Sequence, residues 1–324
     1  MRFRKPTVGI LGASGMLGSM VARYFHSKGY KLYLYSRPTH GHHQHMGFIN
    51  DDVGDWAKKH DWRTVEISTN RIAGGIWGQA YIEGLNLSSW DATKLYKEPD
   101  FYINAVGIVK PAEKAIKRLV EVNDVNAYFP FWLAQNTDKK IIHVSTDCVY
   151  SGRVQQHPYD EAAPSDALDL YGQTKADADK RLWGFKNAMV LRTSIIGPEP
   201  YNKYSLLEWT KKQEGRQVKG YIRHHWNGIT TLQWAKIAER IVRKAGRLFY
   251  GGEIRHIFSE PAITKYELLQ KISDVYSLDL NITPYDDTEF CDRSLGTVHP
   301  EFIEQFNIPS IDSQLQELYQ ETSQ

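Results

Sequence analysis

The chain has 324 residues, and its 40 basic and 38 acidic side chains give a formal charge of +2. This near balance argues against the strongly basic surface typical of nucleic-acid-binding and membrane-surface proteins. The length is sufficient for one large domain and a smaller one.

Cysteine content and hydropathy narrow the class of protein further. The two cysteines, Cys148 and Cys291, are far apart in sequence and have no metal-ligand spacing, so a disulfide framework is not expected. No apolar run approaches the roughly 18 residues of a membrane span, and the basic N-terminus leads straight into an apolar run rather than into a signal-peptide core. We therefore expect a cytoplasmic protein.

The first motif is a run of glycines between an apolar segment and a helical segment. A strand is predicted at Thr7–Leu11, a helix at Met16–Ser27 and a second strand at Lys31–Tyr35. Glycine lets the backbone approach a phosphate closely, and a helix start offers unpaired N–H groups. An ordinary glycine-rich turn is the alternative. The pattern predicts a site for a cofactor diphosphate, and the residues predicted to bind the cofactor here are Gly9, Gly12, Ser14, Gly15, Met16 and Leu17.

Strands and helices alternate along the rest of the chain, which predicts an α/β fold with a Rossmann-type, doubly wound parallel sheet. The further strands are predicted at Ile82–Leu87, Phe101–Val106, Lys140–Ser145, Ala188–Ile195 and His256–Ser259. The further helices are predicted at Lys114–Gln135, Gly172–Trp183 and Thr231–Ala245. We assign residues 1–196 and 229–259 to this domain, and residues 197–228 and 260–324 to a smaller C-terminal substrate-binding lobe. A capping-box spacing, Thr264 to Glu267, opens an amphipathic helix in that lobe over Lys265–Tyr276.

Two later segments carry the chemistry. Ser145-Thr146-Asp147 ends a strand in hydroxyl and acidic groups, and Tyr171 and Lys175 follow at helical i, i+4 spacing. A lysine ammonium beside a phenol is expected to lower the pKa of that phenol and make it a usable acid or base near neutral pH. A surface Tyr-x-x-x-Lys pair with no catalytic role is the alternative.

Taken together, these motifs resemble those of extended short-chain dehydrogenase/reductases. The resemblance rests on Gly9-x-x-Gly12-x-x-Gly15, Ser145-Thr146-Asp147-x-x-Tyr150 and Tyr171-x-x-x-Lys175, in that order. Ser-Thr-Asp-Cys-Val-Tyr at 145–150, Leu-Arg-Thr-Ser at 191–194 and Asp-Arg-Ser-Leu at 292–295 are most similar to dTDP-4-dehydrorhamnose reductase-like proteins. The resemblance covers nearly the whole chain and is looser in the second lobe.

The resemblance implies roles for individual residues. Tyr171 would donate a proton to a substrate carbonyl oxygen as hydride arrives from a nicotinamide, and Thr146 would hydrogen-bond that oxygen. Lys175 would hold the nicotinamide ribose, and Asn126 would support the lysine, unless it is simply a polar residue at a helix turn. Residues expected along the cofactor are Asn104, Ala105, Val106, Gly107 and Thr193. Asp147 would be a second acid or a contact to the sugar.

The end of the second strand bears on the choice of nicotinamide cofactor. NAD sites usually place an acidic residue there, whereas a 2′-phosphate requires a cation. This strand ends in Tyr35-Ser36-Arg37, so Ser36 and Arg37 favour NADP (NADPH) over NAD, with an exposed loop arginine as the alternative. Asn86 and Leu87 are expected beside the adenine.

Three features of the second lobe and the loops complete the site predictions. Trp226, with Tyr201 and Trp209, could stack on a base or sugar, although aromatic residues of a small lobe are more often core. Arg293 is the predicted diphosphate contact. The long stretch between the second and third strands contains four histidines in His40–His45, which we interpret as a solvated loop rather than a metal site.

Together with these residues, the resemblance implies an NADPH-dependent oxidoreductase that reduces a keto group, expected at C4, of a nucleotide-activated deoxysugar for surface polysaccharide biosynthesis. No nucleic acid, membrane or metal partner is expected, and a homodimer is possible. Alternatives are a nucleotide-sugar epimerase or dehydratase of the same fold, or a non-catalytic NADP-binding regulatory subunit. Dehydratases usually place Asp-Glu after the hydroxyl residue, whereas this chain has Asp147-Cys148. The sequence does not specify the sugar or the base.

Overall fold

A computed structural model describes residues 4–36, 64–66, 81–82, 85–86, 99–109, 122–153, 158–200, 203–286 and 289–323. The predictions for Arg37, Leu87 and His40–His45 lie outside these residues. For Ser36 and Asn86 the structure describes the backbone alone.

The central element is a seven-stranded sheet in which every neighbouring pair is parallel. Its strands are β1 (Val8–Leu11), β2 (Leu32–Ser36), β3 (Thr64–Glu66), β6 (Phe101–Asn104), β7 (Lys140–Thr146), β8 (Ala188–Thr193) and β13 (Ile254–His256). The spatial order is β13-β8-β7-β6-β1-β2-β3, so the direction of winding reverses between β1 and β6. This is the Rossmann-type, doubly wound sheet that the sequence predicts.

Alternation of apolar residues along the strands builds a core on each face of the sheet. Ile10 and Leu34 pack in one hydrophobic cluster, whereas their neighbours Leu11 and Tyr35 pack in another on the opposite face. Successive side chains of a strand point to opposite faces, so a strand covered on both sides must be apolar throughout. This explains why β1 is a continuous apolar run, Val8-Gly9-Ile10-Leu11, with all four residues buried.

Helices cover both faces and connect the strands. They are α1 (Met16–Ser27), α2 (Phe129–Asn136), α3 (Leu170–Leu182), α4 (Leu206–Lys211), α5 (Thr231–Arg243), α6 (Ala245–Leu248), α7 (Lys265–Tyr276), α8 (Pro300–Ile303) and α9 (Ile311–Thr322). A π-helical turn, Asp124–Tyr128, precedes α2, and 3-10 turns occupy Asp147–Val149 and Glu304–Phe306. The predicted capping box is confirmed, because Thr264 and Glu267 bond each other's backbone N–H groups at the start of α7.

Small sheets form from the residues outside the central sheet. β10 (Gln217–Tyr221) pairs with β15 (Asn281–Tyr285), and β11 (His224–Trp226) lies between β14 (Ile263–Thr264) and β16 (Cys291–Asp292). Two short strands, β9 (Ile195–Ile196) and β12 (Ile229–Thr230), pair in parallel where the chain leaves and re-enters the large domain proposed from the sequence.

The strand predicted over Ile82–Leu87 is wrong. Its residues form two short strands, β4 (Tyr81–Ile82) and β5 (Leu85–Asn86), which pair antiparallel with each other and thereby satisfy each other's backbone groups instead of joining the large sheet. The position beside β2 is taken by β3, which the sequence analysis missed.

Other predicted elements are present with shifted bounds. The predicted strand His256–Ser259 is Ile254–His256, and the predicted strand Ala188–Ile195 is divided between β8 and β9. The predicted helix Thr231–Ala245 ends at Arg243, and α6 follows as a separate helix. Among the described residues, no helix is long and apolar enough to cross a membrane, and no group of three or more His, Cys, Asp or Glu has the arrangement of a metal site.

The start of α1 is packed unusually close to the loop that follows β1. A Cβ on Gly18 would lie 2.1 Å from the carbonyl oxygen of Gly12, a distance that no side chain tolerates. Gly18 is therefore required for the helix to sit directly on the glycine loop, which is the role of close-packing glycines in such folds.

We expect Gly18→Ala to lower the free energy of unfolding by about 1–3 kcal/mol, because the new methyl group must separate α1 from the loop. Gly246→Ala in α6 is the matched control, since nothing lies within 4 Å of its added Cβ. Urea denaturation of both variants measures the difference. Equal stability of the two variants would contradict the packing argument.

Candidate functional site

The candidate site lies at the carboxyl ends of β1 and β6, where the sheet reverses its winding direction. Ligands of open α/β sheets bind in the crevice that forms at such a switch point. Gly12 has φ +83°, and a Cβ there would lie 2.9 Å from the carbonyl oxygen of Ala105 and 3.1 Å from the backbone nitrogen of Val106. The glycine loop and the loop after β6 are thus in direct contact.

The start of α1 fits an anionic group. Its N-cap residue, Gly15, makes no side-chain capping hydrogen bond, and the residue is exposed. The first N–H groups of a helix have no intrahelical partner and carry the positive end of the helix dipole. The backbone N–H groups of Met16 and Leu17 therefore suit the diphosphate of a dinucleotide, whereas that of Gly15 donates to the carbonyl oxygen of Gly12 at 2.9 Å. Ser14 lies in the same turn.

Gly9 has a different surrounding from Gly12 and Gly15. It lies within β1, and a Cβ there would meet the ring of Tyr102 at 2.9 Å and that of Tyr35 at 3.1 Å. The absence of a side chain at Gly9 accommodates two buried tyrosines beneath the loop. This packing is a sufficient reason for glycine at this position without any contact to a cofactor.

Thr146 and Asp147 lie where β7 passes into a 3-10 turn. The Thr146 hydroxyl accepts a hydrogen bond from the backbone N–H of Cys148 at 3.1 Å and donates to the Asp147 carboxylate at 3.1 Å. These bonds hold the threonine hydroxyl at the end of the strand. The Tyr171 side chain approaches this hydroxyl from α3.

Close packing of α3 against the turn brings Tyr171 to this position. Asp169 caps α3 by accepting from the Gly172 N–H at 2.9 Å. A Cβ on Gly172 would lie 2.1 Å from the carbonyl oxygen of Cys148, so only glycine lets the helix start lie against the turn. Tyr171 and Thr146 are therefore brought together by two elements that the sequence places about 25 residues apart.

The predicted effect of Lys175 on Tyr171 is corrected by the structure. Burial raises the pKa of Tyr171, the neighbouring Cys148 and Asp147 raise it further, and the neighbouring Thr146 hydroxyl lowers it. Lys175 is not among the main causes of the shift. Its side chain turns inward, where its ammonium group lies against Val144 and His143.

Lys175 is 3% exposed and bonds to two groups of β7. Its Nζ donates to the carbonyl oxygen of Val144 at 2.6 Å and lies 3.1 Å from Nε2 of His143. Burial lowers the pKa of Lys175 to about 8, although the charge of Asp179 raises it. His143 was missed in the sequence analysis; the available signal was a polar residue in the middle of an apolar strand.

Two of the predicted asparagines, Asn104 and Asn126, are both fully buried. Asn126, in the π-helical turn, accepts from the Ile108 N–H at 2.8 Å and donates to Thr174 Oγ1 at 3.2 Å. It therefore joins the loop after β6 to α3, one residue before Lys175. The side chain of Asn104 bonds within the protein, and Ala105, Val106 and Gly107 follow it along the edge of the site.

Arg192 belongs to the framework of the site. Its Nε donates to the Asp179 carboxylate at 2.7 Å, and its Nη1 donates to the Tyr150 hydroxyl at 2.7 Å. Ser145 Oγ donates to the same Asp179 oxygen at 2.9 Å. Thr193, also predicted, is buried and donates to the carbonyl oxygen of Ser194 at 3.0 Å.

Two cations face the turn that carries Thr146. Arg293 Nη1 lies 3.7 Å from Cys148 Sγ, and its buried Nε has no hydrogen-bond partner among the described residues. Lys265, the first residue of α7, has Asp147, Cys148 and Arg293 as electrostatic neighbours. The sequence analysis singled out Arg293 but missed Lys265, which had been assigned only to an amphipathic helix.

Trp226 is a core residue, the alternative that the sequence analysis left open. It is 4% exposed, and its indole N–H donates to Ser194 Oγ at 2.8 Å. The Lys265 ammonium lies 5.3 Å from the centre of its ring. The Trp226 ring therefore makes a cation–π contact with the Lys265 ammonium group. Trp209 is 40% exposed, and Tyr201 lies outside the described residues.

Comparison with known proteins finds a family that matches most of this chain. Residues 7–294 match the family model described as the RmlD substrate binding domain. A curated relative, the spore coat polysaccharide biosynthesis protein SpsK of Bacillus subtilis strain 168, is 28% identical over 131 residues, which are 39% of this chain and 46% of that protein. This match thus spans about half the length of that relative.

Solved structures share the fold at low sequence identity. A dTDP-4-dehydrorhamnose reductase from Bacillus anthracis in complex with NADP matches with TM-score 0.71 and 16% identity, over 98% of this chain and 100% of that one. The reductase from Yersinia enterocolitica gives 0.66 and 14%, over 98% and 99%. A dTDP-glucose 4,6-dehydratase from Bacillus anthracis in complex with NAD gives 0.71 and 16%, over 98% and 96%.

Proposed function

This chain belongs to the RmlD substrate binding domain family, and we propose that it is an NADPH-dependent reductase of the C4 keto group of a nucleotide-linked deoxysugar. The observation that carries this proposal is the proximity of the Tyr171 and Thr146 side chains, at the edge of the sheet that also holds the glycine loop. A phenol and a hydroxyl that converge on one point can both bond to a carbonyl oxygen. The match of residues 7–294 to the family model supports the class of reaction.

The electrostatics of Tyr171 favour proton donation. Because burial and neighbouring negative groups raise the pKa of Tyr171, the phenol remains protonated throughout the neutral range. A protonated donor suits reduction, in which the carbonyl oxygen gains the phenol proton while the carbonyl carbon gains hydride from the nicotinamide. Thr146 would orient the same oxygen once its hydroxyl proton, which it donates to Asp147 in this structure, turns toward the substrate.

The choice of NADPH rests on the end of β2. Ser36 and Arg37 supply a hydroxyl and a guanidinium where NAD sites usually carry an acid. The reductase from Bacillus anthracis, in complex with NADP, is in keeping with this choice, whereas the dehydratase from that organism is in complex with NAD. The backbone of the α1 start and the glycine loop would hold the diphosphate of either cofactor.

A nucleotide-linked substrate is supported by the cations of the second lobe. Lys265 and Arg293 lie near Asp147 and Cys148, and a diphosphate would bond to both cations. The spore coat relative supports a role in surface polysaccharide synthesis. We further propose that residues 197–228 and 260–324 form the substrate-binding lobe. A cytoplasmic location and a homodimer stay expectations.

Tyr171→Phe should retain NADPH binding and lose turnover by about 10²–10⁴-fold, because it removes the proton donor alone. NADPH consumption is measured against dTDP-, UDP- and GDP-linked 4-keto sugars, and cofactor binding is measured by nucleotide fluorescence. Full activity of the variant would remove Tyr171 as donor. Tight NADPH binding by the wild-type protein without turnover on any 4-keto sugar would favour the regulatory-subunit alternative.

Arg37→Glu should weaken NADPH binding by at least about tenfold and leave NADH binding within about twofold, since it replaces a phosphate partner by a repelling carboxylate. Fluorescence titration with both cofactors measures the ratio. Arg23→Glu in α1 is the matched charge-reversal control. A parallel loss of both cofactors would refute the phosphate contact.

Lys265→Met should raise KM for the nucleotide sugar by about tenfold or more while kcat changes less, because the lost contact is to a group remote from the carbonyl. Lys271→Met on the same helix is the control, since its ammonium pairs with the exposed Asp312 at 2.7 Å. Steady-state kinetics with the best substrate of the panel measures both constants. An unchanged KM would place the diphosphate elsewhere.

A further inference from the structure

The interior of the site contains a chain of hydrogen bonds that the proposed reaction does not itself require. It begins at the backbone N–H of Val106, passes through the side chains of Asn104 and His143, and ends at Lys175. The three joining distances are 3.1 Å, 3.2 Å and 3.1 Å. Asn104 and His143 are opposite each other on β6 and β7, and both are 0% exposed.

The donors and acceptors along this chain of hydrogen bonds determine which atoms carry the protons. Val106 N–H donates to Oδ1 of Asn104, so the amide NH₂ of Asn104 faces Nδ1 of His143. Nδ1 must then accept, and in a neutral imidazole the ring proton is on Nε2. Nε2–H points at Lys175 Nζ, which must offer a lone pair. This arrangement therefore requires Lys175 as a neutral amine.

A charged Lys175 requires a different arrangement. An ammonium group has three donors and no acceptor, so it would donate to Nε2 and the ring proton would move to Nδ1. Nδ1–H would then oppose the NH₂ group of Asn104. The amide must turn over to present Oδ1, and it thereby loses its bond to the Val106 N–H.

We propose that His143 is a positioning residue that couples the proton count of Lys175 to the orientation of Asn104 and so to the availability of the Val106 N–H. With Lys175 neutral, His143 carries its proton on Nε2 and Val106 is tied to Asn104. With Lys175 charged, the proton is on Nδ1 and the Val106 N–H is released beside Gly12. Val106 N lies 3.1 Å from the position of a Cβ on Gly12, within the cleft proposed for the cofactor.

Because of the surrounding charges, Lys175 is the group that titrates within this chain of hydrogen bonds. Burial and the charge of Lys175 lower the pKa of His143 well below its ordinary value, so the imidazole stays neutral. Asp179, one turn along α3, favours the ammonium form of Lys175, but Arg192 holds that carboxylate at 2.7 Å. Tyr171 stays protonated because its pKa is raised. Each change of the His143 tautomer therefore corresponds to the gain or loss of one proton at Lys175.

The consequence for binding rests on the proposed function. Acceptor oxygens of a dinucleotide that bond to the freed Val106 N–H would favour the charged form of Lys175, so that cofactor binding and proton uptake assist each other. The ammonium would then be present when the nicotinamide ribose arrives. The proton chain itself is a property of the protein without cofactor.

The test is the tautomer of His143 in the cofactor-free protein, recorded by long-range proton–nitrogen NMR between roughly pH 6.5 and pH 9.5. His143→Gln assigns the signal among the 12 histidines. We expect the Nδ1–H tautomer at the acidic end and the Nε2–H tautomer at the basic end, with a midpoint near 8, the pKa of Lys175. One unchanged tautomer throughout, or an imidazolium ion, would overturn the proposal.

Two variants separate this coupling from a local structural effect. Lys175→Met removes the titrating group, so His143 should remain the Nε2–H tautomer at every pH. Asn104→Ala removes the amide that opposes Nδ1–H, so the midpoint should rise by about one pH unit, the equivalent of one hydrogen bond. A pH response that persists in Lys175→Met would contradict the coupling. Failure of the substrate panel with these NMR results intact would disprove the reductase function alone.

Discussion

The buried ion pair between Asp179 and Arg192 is the interaction on which the site depends. Their 2.7 Å contact joins α3 to β8, and Ser145 on β7 donates to the same carboxylate oxygen. Buried ion pairs add little net stability but are costly to break, so they specify one packing arrangement rather than strengthen it. In this protein the Asp179–Arg192 pair fixes the position of α3 along the sheet. Tyr171 and Lys175 lie two turns and one turn before Asp179, and the same contact places them.

Helix α3 carries three polar groups on one face, and they differ in their charge and in their partners. Asp179 is neutralised by Arg192, Lys175 is buried against Val144 and His143, and Tyr171 reaches the turn at the end of β7. Burial moves the pKa of the lysine down and that of the tyrosine up. Both shifts disfavour the charged form of each group, which is the general effect of a low-dielectric environment. The Tyr171 phenol therefore retains a proton that it can donate at the site. The buried groups of α3 beneath it carry little net charge.

The glycine loop, the parallel sheet and the Tyr171–Lys175 motif could be predicted because they follow from local patterns. Glycine spacing and apolar runs depend on nearest neighbours, and the capping box at Thr264 is complete within four residues. The role of His143 could not be found in this way, because its partners are on β6 and α3. Lys265 was missed for the same reason: periodicity assigns it to an amphipathic helix, whereas its ammonium lies over Trp226 near Arg293.

The sequence by itself determined the fold class, the family resemblance and the pair Thr146 and Tyr171, since these depend on residue types at short, regular spacings. Only the tertiary structure decided which way Lys175 points, that Trp226 is core, and that Ile82–Leu87 pairs with itself instead of extending the sheet. The physical reason is burial. A side chain's direction and protonation state are set by groups that fold against it from distant parts of the chain, and the spacing along the chain carries no record of them.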